Sequence, residues 1–211
     1  IVKGQPGLTI NLLEGASIYS KSAFNFNGSI INPIKITSLD RKGGGLVIIG
    51  PKTESIFINT IFEHLTSPNI GSSGLTASIT IYDTDVTFQK CIFDQNESED
   101  FLNLIHSKYE ISDSYFKSVQ SDAVDSDYSN GTIINSIFTD IGNDAMDFSG
   151  SISELFEISI DGVGDKVLSA GEMSKISGKH IDIINAEIGI TSKDLSEVNL
   201  SDVKIKDTRL G

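Results

Sequence analysis

The stretch AVDSDYSNGTIINSIFTDIGND (residues 123–144) is followed directly by AMDFSGSISELFEISIDGVGDK (145–166). Each copy begins inside the same motif: two aspartates bracket a small residue and an apolar one, as Asp122-Ala123-Val124-Asp125 and as Asp144-Ala145-Met146-Asp147. The interval of 22 extends outward from this pair. Rows of equal length start at Phe101, Val167 and Gly189, and their apolar columns stay aligned. One column is Leu102, Val124, Met146, Leu168, Ile190. A second is Phe93, Phe116, Phe138, Ile160, Ile183, Ile205. A third is Phe88, Ile111, Ile133, Leu155, then Gly178 and Leu200. A fixed repeat of this length marks a stacked architecture.

Within a row the apolar residues alternate, as in Ile181-x-Ile183 and Val203-x-Ile205. That is the strand period. Gly, Asn, Asp and Ser break the runs, and these are turn formers. No row holds ten residues with helical spacing. Such a unit cannot bury its apolar face alone, but parallel stacking at about 4.8 Å turns each column into a buried ladder. The expected fold is all-β: a single-stranded right-handed parallel β-helix solenoid with coils of about 22 residues. A leucine-rich repeat is the main rival, but its Leu-x-x-Leu-x-Leu-x-x-Asn unit is missing. The chain reads as one domain over 1–211, with less regular coils in 1–78 and regular ones in 79–211. The stretch SPNIGSSG (67–74) reads as a loop long enough to protrude. The chain opens on Ile1-Val2-Lys3 and ends on Leu210-Gly211 in mid-pattern, so a fragment of a longer protein is expected.

A formal charge of −13 argues against nucleic acid as a partner, whose phosphates need a basic surface. No stretch approaches the roughly 20 apolar residues of a membrane span. Cys91 is the one cysteine, flanked by Ile92 and Phe93, and reads as a buried core thiol.

The aspartates are the chemically pointed feature. With Val124 facing inward, Ala123 and Asp125 are expected to face out of the same strand. The outward column is then Asn103, Asp125, Asp147, Ser169, Thr191. Asp122 and Asp144 form a second acidic column, with Asp100 at its lower end and Lys166 above. Carboxylates about 5 Å apart repel by roughly 1 kcal/mol in water and several times more at lower dielectric. Three remedies stay open: solvation with capping of turn N–H groups, retention of a proton, or a bound hard cation such as Ca²⁺ held by Asp122, Asp125, Asp144 and Asp147.

This arrangement resembles the pectin-lyase-like superfamily of parallel β-helices, which includes polysaccharide lyases, polygalacturonase-like hydrolases and epimerases. The polygalacturonase type carries Asn-Thr-Asp, Asp-Asp and Gly-His-Gly on successive coils. Asn143-Asp144 is similar to the first. Asp165 stands one coil later beside Lys166 instead of a second Asp, and Glu187-Ile188-Gly189 lacks the His. The acid and base needed for inverting hydrolysis are therefore not both present. If the chain is an enzyme, the resemblance implies a Ca²⁺-assisted lyase or epimerase of uronic-acid polymers. Lys166, Asp144 and Asp165 would be catalytic, and Tyr128, His106 and Lys193 would contact substrate. The functional expectation is a secreted or cell-surface module that binds or modifies polysaccharide. The alternative is a non-enzymatic structural or adhesive stalk of a larger surface protein. The sequence leaves enzymatic activity and oligomeric state open.

Overall fold

The structure is a computed structural model that describes residues 1–68 and 74–210. The loop expected at 67–74 falls mostly outside the described residues. The chain winds into a parallel β-solenoid of about nine coils, with no helix among the described residues. Each coil has three faces. The first holds Val2–Gly4, Phe24–Asn27, Ser55–Ile58, Val86–Gln89, Lys108–Ser112 and Asn130–Ile134. The second holds Thr9–Asn11, Ile34–Thr37, Thr60–Glu63, Ile92–Asp94, Tyr115–Val119 and Ile137–Ile141. The third holds Ile18–Ser20, Leu46–Ile49, Ala77–Tyr82, Asp100–Ile105, Asp122–Asp127 and Met146–Ser149. Beyond these, Ile152–Gly171, Lys175–Ser192 and Glu197–Lys206 run as near-continuous strands around the corners and extend all three faces.

The three columns read from sequence are the three inward ladders. Leu102 pairs with Val124, Val124 with Met146, Met146 with Leu168 and Leu168 with Ile190. All but the terminal Ile190 are buried, and Ile190 packs against the same core. In the second column Phe93, Phe116 and Phe138 stack almost parallel, with ring centroids 4.2 Å and 4.7 Å apart. The coil spacing imposes this stacking, and side contacts are edge-on, as between Phe93 and Phe101. Each fully buried Phe contributes about 1.5–3 kcal/mol of transfer free energy. The N-terminal coils carry the same ladders at longer intervals. Asn25 pairs with Ile56 and Leu46 with Ile79, whereas Val124 pairs with Met146. Extra residues there are accommodated in the corners.

The corners explain the scatter of polar residues between strands. Many turn on a single left-handed residue, and these residues stack in columns, such as Asp83, His106, Tyr128, Gly150 and Glu172 after the third face. Asp, Asn and His accept this conformation more readily than most side chains. A second device is internal. The hydroxyls of Ser107, Ser129, Ser151, Ser174 and Ser196 each accept the backbone N–H of the matching residue one coil earlier, from Thr84 to Ser174. Sharp corners leave these amides unpaired, and the hydroxyl ladder satisfies them inside the core.

One orientation differs from expectation. Ala123 is fully buried in the core and does not point outward. The third face begins with two consecutive inward residues: Phe101-Leu102, Ala123-Val124, Ala145-Met146, Val167-Leu168. Pairing runs Asp100↔Asp122 and then Leu102↔Val124, so alternation is broken at the corner and resumes at Val124. The small residue between the aspartates is therefore a steric fit to the corner.

Candidate functional site

The site lies on the outer side of the third face. Asn103, Asp125 and Asp147 stand in register on successive coils, and Thr80 precedes and Ser169 follows them. This outward column is the floor of a shallow trough parallel to the solenoid axis. Thr80, Asn103 and Ser169 are buried, although they point away from the core. One rim is formed by Asp100, Asp122, Asp144 and Lys166. The other follows the corner after the third face, where Tyr82 meets His106 edge-on and His106 lies tilted against Tyr128. The Tyr82 and His106 rings lie 5.9 Å apart, and those of His106 and Tyr128 lie 5.7 Å apart. Gly150 is needed in this row. A Cβ there would lie 2.5 Å from Tyr128 Cδ1. Its absence lets the Tyr128 ring cross that coil, and the hydroxyl donates to Glu172 Oε2 at 2.6 Å.

The two acidic columns predicted from sequence are present, and they do different work. Asp122 and Asp144 are structural caps. Asp122 Oδ1 accepts the Asp144 backbone N–H at 2.9 Å and the Asn143 amide at 2.6 Å. Asp144 Oδ1 accepts the Lys166 backbone N–H at 2.9 Å, and Lys166 Nζ lies 3.5 Å from the same oxygen. Lys166 also pairs with Asp165. Burial alone would lower the lysine pKa, but the Asp165 hydrogen bond and the charges of Asp144 and Asp165 outweigh it and hold it above its ordinary value. Lys166 is thus a protonated, paired amine at neutral pH, which is the opposite of a poised base.

Asp125 and Asp127 belong to the trough itself. Asn103 Nδ2 donates to Asp125 Oδ2 at 2.6 Å and to Asp127 Oδ2 at 3.3 Å. Burial, followed by the charges of Asp127, Asp100 and Asp147, pushes the Asp125 carboxyl up to about 8. Asp100 rises to about 7, first through burial and then through Asp122 and its acidic neighbours, although Thr76 Oγ1 donates to it at 2.8 Å. Asp127 and Asp144 are raised as well, again chiefly by burial. Of the three remedies for crowded acids, capping holds for Asp122 and Asp144, and retention of a proton holds for Asp125 at neutral pH. Among the described residues, no three His, Cys, Asp or Glu side chains converge on a point where a metal ion would sit. Asp122, Asp125, Asp144 and Asp147 therefore do not form a common cage in this conformation.

A pocket of about 210 Å³ opens between the trough floor and the segment Gly74–Ala77, lined by Thr80, Asn103, Ile105, Asp125 and Asp127. Tyr128 and His106 do not line it; they directly follow the lining residues Asp127 and Ile105 in the chain. Lys193 does not line it. That side chain lies over Gly171, further along the solenoid. The residues expected from sequence to contact substrate include Tyr128 and His106 but not Tyr82. The structure adds Tyr82, which is 39% exposed and two coils below Tyr128. Tyr82 pairs with Ile105, one position before His106, so the three rings do not share a single sequence column.

No protein-family model matches the chain, and no curated protein matches it. Among solved structures, a GH136 lacto-N-biosidase from Eubacterium ramulus is similar at 10% identity with a TM-score of 0.26. That alignment covers 96% of this chain and 62% of the other, so the chain spans less than two thirds of that protein. A likeness at that score carries no argument about this chain.

Proposed function

We propose that the chain is a polysaccharide-binding β-solenoid module of a secreted or cell-surface protein, which holds a glycan strand along the trough of its third face. The observation that carries this reading is the exposed ring row Tyr82–His106–Tyr128 beside a floor of hydrogen-bonding side chains. Rings supply apolar area for the C–H faces of sugars, and the floor supplies acceptors for hydroxyls. Successive coils repeat both elements at the strand spacing, which suits a polymer better than a compact ligand.

The test is binding to a panel of neutral, anionic and amine-bearing polysaccharides, with wild type compared against Tyr82→Ala and Tyr128→Ala. The expected result is binding of at least one class and a tenfold or greater loss in each variant. Binding that survives both substitutions would remove the ring row from the account. No binding to any class would favour the stalk reading. One arm of the panel uses uronic-acid polymers with and without Ca²⁺, followed by ultraviolet absorbance for unsaturated product. Calcium-dependent product there would restore the lyase reading, with Asp144, Asp165 and Lys166 as its candidates.

A further inference from the structure

The pocket floor holds groups that sugar hydroxyls alone leave unexplained. Thr80 Oγ1 and Asn103 Oδ1 are buried and have no hydrogen-bond partner among the described residues. Their residues are 1% and 7% exposed, and both line the pocket with Asp125 and Asp127. The Asn103 amide nitrogen is already committed to the two carboxyls. What this side chain still has to offer is an acceptor. Among the described residues, no Lys, Arg or His lines the pocket. An enclosure of half-buried carboxyls, a buried amide oxygen and a buried hydroxyl, with no cation among its described lining residues, is unfavourable until a donor-rich cation enters.

We infer that this pocket takes the protonated amino group of an amino sugar, so that the glycan held in the trough is a polysaccharide bearing free amines. The inference rests on the polysaccharide reading and narrows it. An ammonium fits better than a metal ion. A metal needs several ligands at fixed short distances, and no such group converges among the described residues. An ammonium has three rotatable donors and accepts scattered partners. The volume of about 210 Å³ is of the order of one sugar ring. Tyr82 and His106 stand on the adjacent corner to pack against the next ring.

The proton balance is simple. The Asp125 carboxyl, raised to about 8 by burial and by Asp127, Asp100 and Asp147, is neutral in the free protein at pH 6. When the ammonium binds, the carboxyl ionises against it and its proton leaves to solvent. No bond other than O–H is broken. Binding at pH 6 therefore releases protons, and the observed heat depends on the ionisation enthalpy of the buffer.

The experiment is titration calorimetry at pH 6 with a glucosamine oligosaccharide, its fully N-acetylated counterpart and a glucose oligosaccharide of equal length and linkage. Each is run in two buffers of different ionisation enthalpy. The free-amine oligomer should bind at least tenfold more tightly than the other two and release protons. Asp125→Asn and Thr80→Val should each shrink that preference at least fivefold while the circular dichroism spectrum stays native. Equal affinity for all three oligomers would overturn the amine inference and leave the polysaccharide reading standing. Binding of none would overturn both. Displacement of the free-amine oligomer by millimolar CaCl₂, with Ca²⁺ alone raising the melting temperature, would make the pocket a metal site and overturn the inference in favour of that ion.

Discussion

Replacing Asp125 by Asn should make the protein more stable at pH 8.5 and change it little at pH 4. In the unfolded chain an aspartate titrates near 3.9. In the folded chain the Asp125 carboxyl is raised to about 8, first by burial and then by Asp127, Asp100 and Asp147. Between those values the native state holds a proton that the unfolded state has lost, so stability falls as pH rises through this window. Below about 4 both states are protonated and the group is neutral in its effect. Four pH units at about 1.36 kcal/mol each give a ceiling of about 5 kcal/mol, reached above pH 8. Small movements of the trough rim reduce this, and a gain of about 2–4 kcal/mol is expected for the variant. Asn keeps an acceptor for the 2.6 Å bond from Asn103. The assay is urea unfolding at pH 4, 6 and 8.5, with the difference between wild type and variant read at each pH. A difference that does not grow with pH, or that grows with opposite sign, would refute the view that Asp125 is a buried acid without a counter-ion.

Met146→Ala should cost about 2–5 kcal/mol by urea unfolding, because the side chain is 1% exposed between Val124 and Leu168; an unchanged midpoint would mean the ladder is not packed. Ser129→Ala should cost about 1–3 kcal/mol, since it strands the Ser107 N–H; Ser129→Thr, which keeps the hydroxyl, should cost less, and an equal cost would show that the hydroxyl is not what matters. Lys166→Met should destabilise by about 1–3 kcal/mol at pH 8 and less at pH 4, where Asp144 becomes protonated; equal loss at both values would show that packing, not charge, is what Lys166 supplies. Cys91, whose thiol is pushed up to about 12 by burial, should react with a thiol reagent only on unfolding, and reaction in native buffer would contradict its place in the core.

The winding of the chain was legible because its determinants are periodic and local. Leu102, Val124, Met146 and Leu168 fall at a constant interval, and a side chain that packs only against its neighbour one coil away leaves that interval in the sequence. The stacking of Asp122 on Asp144 and of Asp125 on Asp147 followed from the same arithmetic. What could not be read was which acids are enclosed. Asp125 and Asp144 differ in role because of a segment, Gly74–Ala77, that belongs to an irregular connection, and because a corner turns Ala123 inward against simple alternation. The hydroxyl ladder through Ser107, Ser129 and Ser151 was equally hidden. Serine is common in turns, and nothing in its frequency distinguishes a solvated hydroxyl from one that caps a buried amide. The row formed by Tyr82, His106 and Tyr128 escaped for a related reason: ring contact across coils depends on ring direction, which spacing does not encode.

The serine ladder also sets the currency in which this protein can change length. Each hydroxyl in it answers to one amide, one coil away, as does each inward apolar residue. Excision of Ala123–Asp144 would bring Leu102 against Met146, Ser107 against Ser151 and Asn103 against Asp147, with every column continuous across the join. Removal of 21 or 23 residues would leave one residue for a corner to absorb, as the 23-residue steps from Phe93 to Phe116 and from Ser151 to Ser174 do. Duplication or loss of whole coils by unequal recombination is thus nearly silent for folding, whereas an insertion within a strand turns its inward residues to the other face. The trough shortens or lengthens by one strand spacing with each such event. Coil number then acts as a ruler for whatever lies along that face, adjustable without redesign of any contact.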